Sequence, residues 1–417
     1  MPLTPRLRSW LLVTALLWMA VINGAMLWNT RVAIGRGYGD FSSFYTAGVL
    51  VRRGLGGELY KPAAQWKVQQ EFAHEVEIRQ GPLPYIRPPF EALLFSVFAA
   101  WPYKTALLLW TGFKLILLSA IPFIVVRGRD WKEPFPRWAT ALLVLGTFPE
   151  FMDLLMGQDA PLLAFLFAIS FWQLSTRRDT GAGFTLGLAL FKFQLVIPFV
   201  VAVLIGGRKR VLPGFATSAF AVFAISAALV GWKGLLKYPS YLLVLNRATG
   251  AGVVTPEYQI NLRGLLTFFI GRTPYPGAIH WMLAPVALAA IVYTGLIWRK
   301  AGDRLLAEGF GLATIVAIVT SYYSYEYDLL LLIVPVLAML TRPDDAPKAD
   351  RFTRHLETIG LLLLLLTPVY WLARAQLQAE CLMTLPLLAW GAALARRLSH
   401  AGAGAAEQRA PILDGPG

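Results

Sequence analysis

The chain alternates between apolar runs and short polar stretches along nearly its whole length. The longest runs contain about 20 residues, enough for a helix to cross a hydrocarbon core that is roughly 30 Å thick. The clearest runs are Trp10–Trp28, Thr105–Val126, Val211–Val230, Met282–Trp298, Leu305–Thr320 and Leu361–Leu372. The pattern predicts an all-α polytopic membrane protein with about 11 to 13 transmembrane helices.

Two apolar stretches do not fit a single straight crossing. Within residues 88–126 the motif "WPYK" interrupts the run, so we expect a short half-helix, Phe90–Ala100, before a full crossing. Residues 183–206 are apolar, yet basic residues flank them on both sides. Because basic flanks are expected to face the cytoplasm, both ends of this stretch should lie on the same side of the membrane. We therefore predict two short helices that enter the membrane and return, with Lys192 near the turning point.

The largest polar segment, residues 30–88, carries two helical patterns. The first has the spacing i, i+3, i+4 and i+7 of one helix face, at Phe41, Phe44, Tyr45 and Gly48. The second predicts a helix over Ala63–Arg79. Because the segment lies between membrane-crossing runs, we expect both helices to lie flat in the membrane interface.

Composition and charge agree with a membrane protein. Hydrophobic residues make up 57% of the 417 residues and charged residues only 15%, which is more apolar surface than a soluble domain can bury. The net charge of +14 does not indicate a nucleic-acid partner, because the basic residues cluster in short loops between the apolar runs. Such loops face the cytoplasm, so both termini are expected inside the cell. The loops expected outside are 30–88, 150–159, 232–277 and 321–328.

Cysteine and histidine usage argues against a metal centre. The single cysteine, Cys381, excludes an intramolecular disulfide and a cysteine-built metal site, and the four histidines are far apart. No cofactor is expected, and a divalent metal is not favoured. The first apolar run is interpreted as an uncleaved anchor. Residues 1–399 are expected to form one integral membrane domain, and residues 400–417 a disordered cytoplasmic tail.

Three basic residues lie in or beside the apolar segments, where charges are costly and often functional. Lys192 is the deepest; it would bind a lipid phosphate or form a structural ion pair with Asp159 or Glu150. Arg87, just before two prolines, would bind a phosphate through two hydrogen bonds or anchor the chain at the interface. Lys114 is expected to pair internally or to extend toward the interface.

Polar and aromatic residues of the outward loops are candidates for sugar contacts. Gln158 and Asp159 lie in one such loop, although Asp159 could instead cap the helix that follows it. Tyr322 and Glu326 lie in another, "TSYYSYEYDLL". Carboxylates can accept hydrogen bonds from sugar hydroxyls and aromatic rings can pack on pyranose faces, although tyrosines are also common at membrane interfaces. Tyr45 is a further candidate for sugar contact.

Asp40 lies in "GYGDFSSFYTAG", a few residues beyond the first predicted membrane helix. Two roles suit a carboxylate at this position. It could cap the helix that starts near Phe41, by accepting from the backbone amide of Ser42 or Ser43. It could also act as a general base at the outward mouth of the protein. The two roles do not exclude each other.

Several of these segments occur together in one known family. The chain resembles glycosyltransferase family 87, which includes polyprenol-phosphate-mannose-dependent mannosyltransferases of bacterial membranes with the GT-C architecture. The similarity covers about residues 9 to 340 and rests on an ordered set of motifs. These are "GDFSSFYTAG", "LY" at 59–60, "RPPFEALLF" at 87–95, "GQDAPLL" at 157–163, "LGLALFKFQLVIPF" at 186–199 and "SYYSYEYDLLLLIVPVL" at 321–337.

The resemblance implies an enzyme of the bacterial inner membrane with its active site on the periplasmic face. It would move a hexose, mannose being favoured, from a polyprenyl-phosphate donor to a glycolipid or glycan acceptor. The family's general base is an aspartate in the first outward loop, which corresponds to Asp40. Related enzymes often carry an acidic pair there, whereas Gly39 precedes Asp40 in this chain, which argues against a metal bound by such a pair.

One positioned carboxylate suffices for this chemistry. A base takes the proton of the attacking hydroxyl, which contributes roughly 10²–10⁴-fold in rate, while the leaving phosphate needs only cationic stabilisation. Direct displacement would invert the anomeric carbon. The alternative from another class is a transporter or flippase for lipid-linked saccharides, which would place substrate-handling groups, Lys192 foremost, near the membrane midplane.

Overall fold

The computed structural model describes residues 4–73, 82–128, 136–247, 256–271, 276–341 and 350–407. Within these ranges the chain is all-α and contains no β-strand, as predicted. The helices are α1 (Pro5–Gly35), α2 (Phe41–Arg52), α3 (Pro62–Phe72), α4 (Pro89–Phe98), α5 (Tyr103–Val126), α6 (Thr140–Leu145), α7 (Phe148–Met156), α8 (Ala160–Ser175), α9 (Asp179–Leu188), α10 (Phe193–Ile205), α11 (Val211–Arg247), α12 (Leu262–Ile270), α13 (Pro276–Ala301), α14 (Leu306–Thr320), α15 (Ile333–Met339), α16 (Arg351–Leu365), α17 (Thr367–Trp371) and α18 (Thr384–Glu407).

Six helical segments of the described chain are long and apolar enough to cross a membrane. They are Ser9–Gly35, Tyr103–Val126, Asp179–Ile205, Val211–Leu245, Trp281–Ala301 and Glu380–Ala401. The chain is therefore a polytopic membrane protein. Other apolar helices, such as α4 and α8, are shorter than these segments, and the count of about 11 to 13 crossings stays a prediction.

The segment Asp179–Ile205 is a pair of half-helices, although its length alone would suit one crossing. A 3-10 turn over Ala189–Lys192 separates α9 from α10. Arg208, just beyond α10, contacts Asp179 at the start of α9, with Nη1 3.1 Å from Oδ1. The two ends of the pair therefore meet. This geometry confirms the predicted pair of short helices with Lys192 at the turn between them, while their entry into a membrane and return stays a prediction.

Basic residues from successive loops gather at the end of the bundle where that pair begins. Arg208 Nη2 lies 2.6 Å from Oδ1 of Asp303. The guanidinium groups of Arg127 and Arg178 lie 5.4 Å and 5.1 Å from the ring centroid of Trp172. We call this region the basic end and define it by Arg127, Arg178 and Arg208. Loops that the positive-inside rule assigns to one side are thus adjacent in the fold.

A buried ion pair joins α5 to α7. The ammonium of Lys114 contacts the carboxylate of Asp153, and its Nζ also donates to the Asp153 carbonyl oxygen at 3.2 Å. Both side chains are fully buried. Lys114 therefore pairs internally rather than extending to the interface, one of the two alternatives raised by the sequence.

A lobe of short helices covers the other end of the bundle. The predicted face of α2 is buried, and the Phe44 ring stacks on Phe95 of α4 with centroids 4.7 Å apart. The half-helix expected over Phe90–Ala100 is α4, and the helix expected over Ala63–Arg79 is α3. Helix α3 ends at Phe72, and residues 74–79 of that second prediction lie outside the described residues. The short helices thus form where the sequence places them.

The long helix α11 contributes its last turns to the same lobe. Gly231 has φ 71° and ψ 164°, which breaks the helix after Val230. Beyond the break, the hydroxyl of Tyr238 donates to the carbonyl of Ile86 at 2.9 Å. This contact holds the chain just before Arg87 in place.

The C-terminal helix α18 extends further than the sequence suggests. It continues to Glu407, into the segment 400–417 that we expected to be a disordered tail. Residues 408–417 lie outside the described residues. The boundary predicted at residue 399 therefore does not coincide with the end of this helix.

Candidate active site

A polar cavity of about 250 Å³ lies at the end of the bundle away from the basic end. Helix α8 separates the two regions: it starts beside the cavity at Asp159 and runs for 16 residues, about 24 Å, toward Arg178. The volume is close to the lower limit of small-molecule sites, roughly 300 Å³. The cavity is lined by Asp40, Ser43, Phe44, Leu83, Pro84, Ile86, Arg87, Met156, Gln158, Gln194, Tyr258, Tyr323, Tyr325, Glu326, Tyr327, Asp328, Arg374 and Glu380.

Asp40 lines the cavity and is held there by a side chain from another helix junction. Gln158 Nε2 donates to Asp40 Oδ2 at 2.6 Å. Asp40 occupies the residue before α2, but its carboxylate makes no capping hydrogen bond, so the predicted side-chain cap is wrong. The amide of Ser43 donates to the Asp40 carbonyl oxygen instead, at 2.9 Å. The carboxylate is thus directed to the cavity and not to its own helix.

Two glycines allow the Asp40 loop to approach the turn between α7 and α8. Gly157 has φ 68°, in the left-handed region, and a Cβ there would lie 2.6 Å from Cβ of Phe41. A Cβ on Gly39 would lie 2.8 Å from the carbonyl oxygen of Met156. Side chains do not tolerate contacts this short. The glycine before Asp40, in place of a second acidic residue, therefore has a packing reason.

Arg87 follows an extended segment that side chains of the lobe hold in place. Gln69 makes two hydrogen bonds with the backbone of Leu83, one donated at 2.8 Å and one accepted at 2.9 Å. The hydroxyl of Tyr60 donates to the carbonyl of Arg87 at 2.8 Å. These side chains satisfy backbone N–H and C=O groups of an extended segment that is not part of a β-sheet. They therefore fix the backbone position of Arg87.

Arg87 and Lys192 are linked by one carboxylate. Arg87 Nη2 lies 3.1 Å from Asp159 Oδ1, and its Nε lies 3.0 Å from Oδ2. Lys192 Nζ lies 2.7 Å from Asp159 Oδ1 and 2.6 Å from Asp328 Oδ1. Asp159 makes no capping bond to α8, so that predicted cap is wrong. Opposite charges alternate through the network, which compensates the cost of burying each of them.

Asp328 also shapes the short helix that carries the cavity's aromatic residues. Its Oδ2 accepts from the amide of Tyr325 at 3.0 Å, and its own amide donates to the Tyr325 carbonyl at 3.0 Å. The 3-10 helix Glu326–Leu332 therefore starts at a fixed position. The ring of Tyr327 lies 4.9 Å from Lys192 Nζ. Aromatic faces and carboxylates thus occur on one wall, the pairing expected of a carbohydrate site.

A second ionic group closes the cavity on another side. Arg374 Nη1 lies 3.1 Å from Glu326 Oε1 and 2.7 Å from Glu380 Oε1. Burial raises the pKa of the Glu326 carboxyl from its ordinary value, and the charge of Arg374 opposes that shift. Arg374 and Glu380 lie beyond the last motif of the sequence analysis. They are site residues that the sequence analysis missed.

The structure separates the predicted site residues into three groups. Asp40, Arg87, Gln158 and Glu326 line the cavity. Asp159 and Lys192 are fully buried and do not line it. Tyr45 and Tyr322 lie elsewhere. The Tyr45 hydroxyl donates to the Trp101 carbonyl at 2.9 Å, and the Arg263 guanidinium lies 4.5 Å from the Tyr322 ring centroid.

Lys192 has the geometry of a structural ion pair. Its partners are Asp159 and Asp328, and its side chain has no exposed surface. Asp159 is one of the two ion-pair partners that the sequence analysis proposed for Lys192. The donor-phosphate role remains a prediction that would require this network to open. Among the described residues, no three histidine, cysteine, aspartate or glutamate side chains are grouped so as to hold a metal ion.

Comparison with protein-family models identifies the chain's relatives. The model described as Glycosyltransferase family 87 matches residues 85–335, more than half of the chain. The chain belongs to glycosyltransferase family 87. The family 87 match includes Arg87, Gln158 and Glu326 of the cavity, whereas Asp40 and Arg374 lie outside the matched residues. No curated protein and no solved structure matches the chain significantly.

Family membership and the fold together define the general activity. A family 87 chain with several membrane-spanning helices is a membrane glycosyltransferase, which acts on a sugar donor and an acceptor. The residues of the family 87 match line the polar cavity from five places: before α4, between α7 and α8, at the start of α10, between α11 and α12, and after α14. The cavity is therefore the candidate active site.

Proposed function

We propose that the chain transfers a hexose, with mannose favoured, from a polyprenyl-phosphate donor to a glycolipid or glycan acceptor. The transfer takes place in the polar cavity, on the periplasmic face of a bacterial inner membrane, with both termini in the cytoplasm. The single observation that carries the proposal is the Asp40 carboxylate. It lines the cavity, is oriented by Gln158 and does not cap the helix that follows it.

The proposed reaction is a direct displacement at the anomeric carbon. Asp40 accepts the proton of the acceptor hydroxyl while that oxygen attacks. The bond between the anomeric carbon and the phosphate oxygen breaks, and its electron pair leaves with the polyprenyl phosphate. That product is already anionic and needs no proton, only nearby positive charge. This mechanism needs only one base and inverts the configuration of the anomeric carbon. A β-linked donor would therefore give an α-linked product.

The remaining lining groups suit a hexose and its acceptor. Tyr325 and Tyr327 offer flat apolar faces, and Glu326 and Asp328 offer carboxylate oxygens that accept from hydroxyl groups. Arg87 contributes positive charge beside Gln158. The transporter alternative relies on Lys192 as an available group near the midplane. The pairing of Lys192 with two carboxylates favours the enzyme over that alternative.

The test is transfer of labelled sugar by the purified protein in lipid nanodiscs. Polyprenyl-phosphate mannose, glucose and galactose are supplied separately, with glycolipid extracts as acceptors. We expect one donor to be used, and Asp40→Asn to lower the rate about 10²–10⁴-fold. Glu71→Gln is the matched control, because Glu71 is exposed and pairs with Arg53 away from the cavity. Transfer at the wild-type rate by Asp40→Asn would remove Asp40 from the mechanism.

A further inference from the structure

Two cations line the polar cavity in the described part of the chain, Arg87 and Arg374. Only 7% of Arg87 is exposed, and its guanidinium already donates to Gln158 and Asp159. Lys192 has no exposed surface and lies behind the lining residues. The positive charge most accessible from the cavity therefore belongs to Arg374, whose side chain is 35% exposed.

Arg374 retains hydrogen-bond donors beyond the one that its two carboxylate partners use. Its contacts to Glu326 and Glu380 both use the same nitrogen, Nη1. A guanidinium carries five N–H donors in a rigid fork that matches the oxygens of a phosphate. The two carboxylates are almost fully buried, at 5% and 1% exposure. They therefore fix one edge of the guanidinium while Nη2 and Nε can face a ligand.

The backbone around Arg374 is irregular on both sides of the residue. Residues Leu372–Gln376 form a π-helical turn, a conformation frequent at functional sites. Gln378 has φ 47°, which non-glycine residues seldom adopt. The π-helical turn contains Arg374 and Gln378 lies between Arg374 and Glu380, and this backbone path brings both charged side chains to one ionic group. Such local strain persists where surrounding contacts impose it.

We propose that Arg374 binds the phosphate of the lipid-linked donor and stabilises the charge that develops on it when the sugar leaves. The inference rests on the proposed function and adds a residue that lies outside the family match, which ends at residue 335. Asp40 and Arg374 line the same cavity, so the base and the anion site can act on one donor. Glu326 and Glu380 position the guanidinium and oppose the binding of an anion there.

This arrangement predicts effects of opposite sign for two neighbouring substitutions. Arg374→Gln removes charge-assisted hydrogen bonds and should weaken phosphate binding about 10- to 100-fold. Glu380→Gln removes a competing negative charge and should strengthen it, by about tenfold. Because Arg374→Gln leaves two carboxylates unpaired, the double variant Arg374→Gln with Glu380→Gln is measured beside it. It should fold and still lack the phosphate preference.

Binding is measured without turnover, on the full chain in nanodiscs, by competition against a fluorescent polyprenyl phosphate. The competitors are polyprenyl phosphate, polyprenol without phosphate, and inorganic phosphate. The wild-type chain should prefer polyprenyl phosphate over polyprenol, and inorganic phosphate should compete weakly because it lacks the chain. Arg53→Gln serves as the control, because it removes an exposed arginine paired with Glu71 outside the cavity.

Two results would overturn the assignment. One is a wild-type chain that does not distinguish polyprenyl phosphate from polyprenol. The other is a folded double variant that keeps the full preference. The proposed function fails separately, if the wild-type chain prefers polyprenyl phosphate yet transfers no sugar from any donor. If that preference is lost in the Arg374 variants, the site in the inactive chain binds a lipid phosphate that carries no transferable sugar.

Discussion

Gln158 Nε2 donates a hydrogen bond of 2.6 Å to Asp40 Oδ2, across 118 positions of sequence. The other end of the same amide, Oε1, accepts from Arg87 Nη2 at 3.1 Å. An amide held at both ends has only one orientation that satisfies both partners. Gln158 therefore fixes the Asp40 carboxylate and links it to the charged network behind the cavity.

The first prediction concerns this orientation. Gln158→Leu should lower kcat for sugar transfer about tenfold, because a misplaced base is costly even when all catalytic groups remain. The KM for the donor should change little if Gln158 acts through Asp40 alone. The measurement is steady-state transfer in nanodiscs, with Gln173→Leu as the control. Gln173 lies on α8 and accepts from Thr185, away from the cavity. A raised KM at constant kcat would instead make Gln158 a direct sugar contact.

The second prediction tests the close approach of the Asp40 loop to the α7–α8 turn. Gly157→Ala should destabilise the protein, since the left-handed backbone alone costs an alanine roughly 1–2 kcal/mol and its Cβ would contact Phe41. Transfer activity should fall as well, because Asp40 precedes Phe41. The matched control is Gly112→Ala in α5, where a Cβ meets no atom within 4 Å. Thermal unfolding in detergent compares the two variants, and equal midpoints would contradict the packing argument.

The third prediction separates the two roles considered for Lys192. If Lys192 is structural, Lys192→Met leaves Asp159 and Asp328 buried without their shared cation. Breaking a buried pair in this way costs roughly 3–5 kcal/mol, so the unfolding temperature should fall well below that of the wild type. The exposed Lys209 at the basic end gives the control Lys209→Met. An unchanged unfolding temperature together with a raised donor KM would show that Lys192 binds the phosphate directly.

The fourth prediction tests the orientation of the chain in the membrane. Because Cys381 is the single cysteine, Cys381→Ser gives a background for labelling. Gly57→Cys, in the exposed part of the lobe, should react with a membrane-impermeant maleimide in intact spheroplasts. Lys209→Cys, at the basic end, should react only after lysis. Labelling in the reverse pattern would place the polar cavity inside the cell and would contradict the proposed periplasmic reaction.

The sequence predicted those features that depend on local pattern. The apolar runs indicated helices, and basic flanks on both sides of residues 183–206 indicated that the chain returns to the side where it entered. Asp40, Arg87 and Gln158 were found because polar groups beside long apolar runs are conspicuous. The position of a polar residue beside an apolar run does not reveal which side chain it contacts in the fold. Gln158 and Asp40, for example, form a hydrogen bond although they are 118 positions apart.

Other residues show where local pattern carries too little information. Tyr45 has the helical spacing of α2, but spacing does not tell whether a buried face points to a cavity or to other rings. Its ring packs 5.0 Å from Phe72 and 5.3 Å from Tyr103. Arg374 was missed for the opposite reason. A lone arginine after an apolar run looks like an ordinary helix flank, and only the fold brings it to Glu326.

The meeting of Arg208 with Asp179 has a consequence for how the protein can change. If the α9–α10 pair enters the membrane and returns, as its basic flanks predict, its deletion or duplication would leave every later helix with its original polarity. The loss of one ordinary crossing would instead invert the polarity of all the helices that follow. The polarity of the later helices is thus independent of this pair, whereas the position of its tip is fixed by the contacts of Lys192 with Asp159 and Asp328.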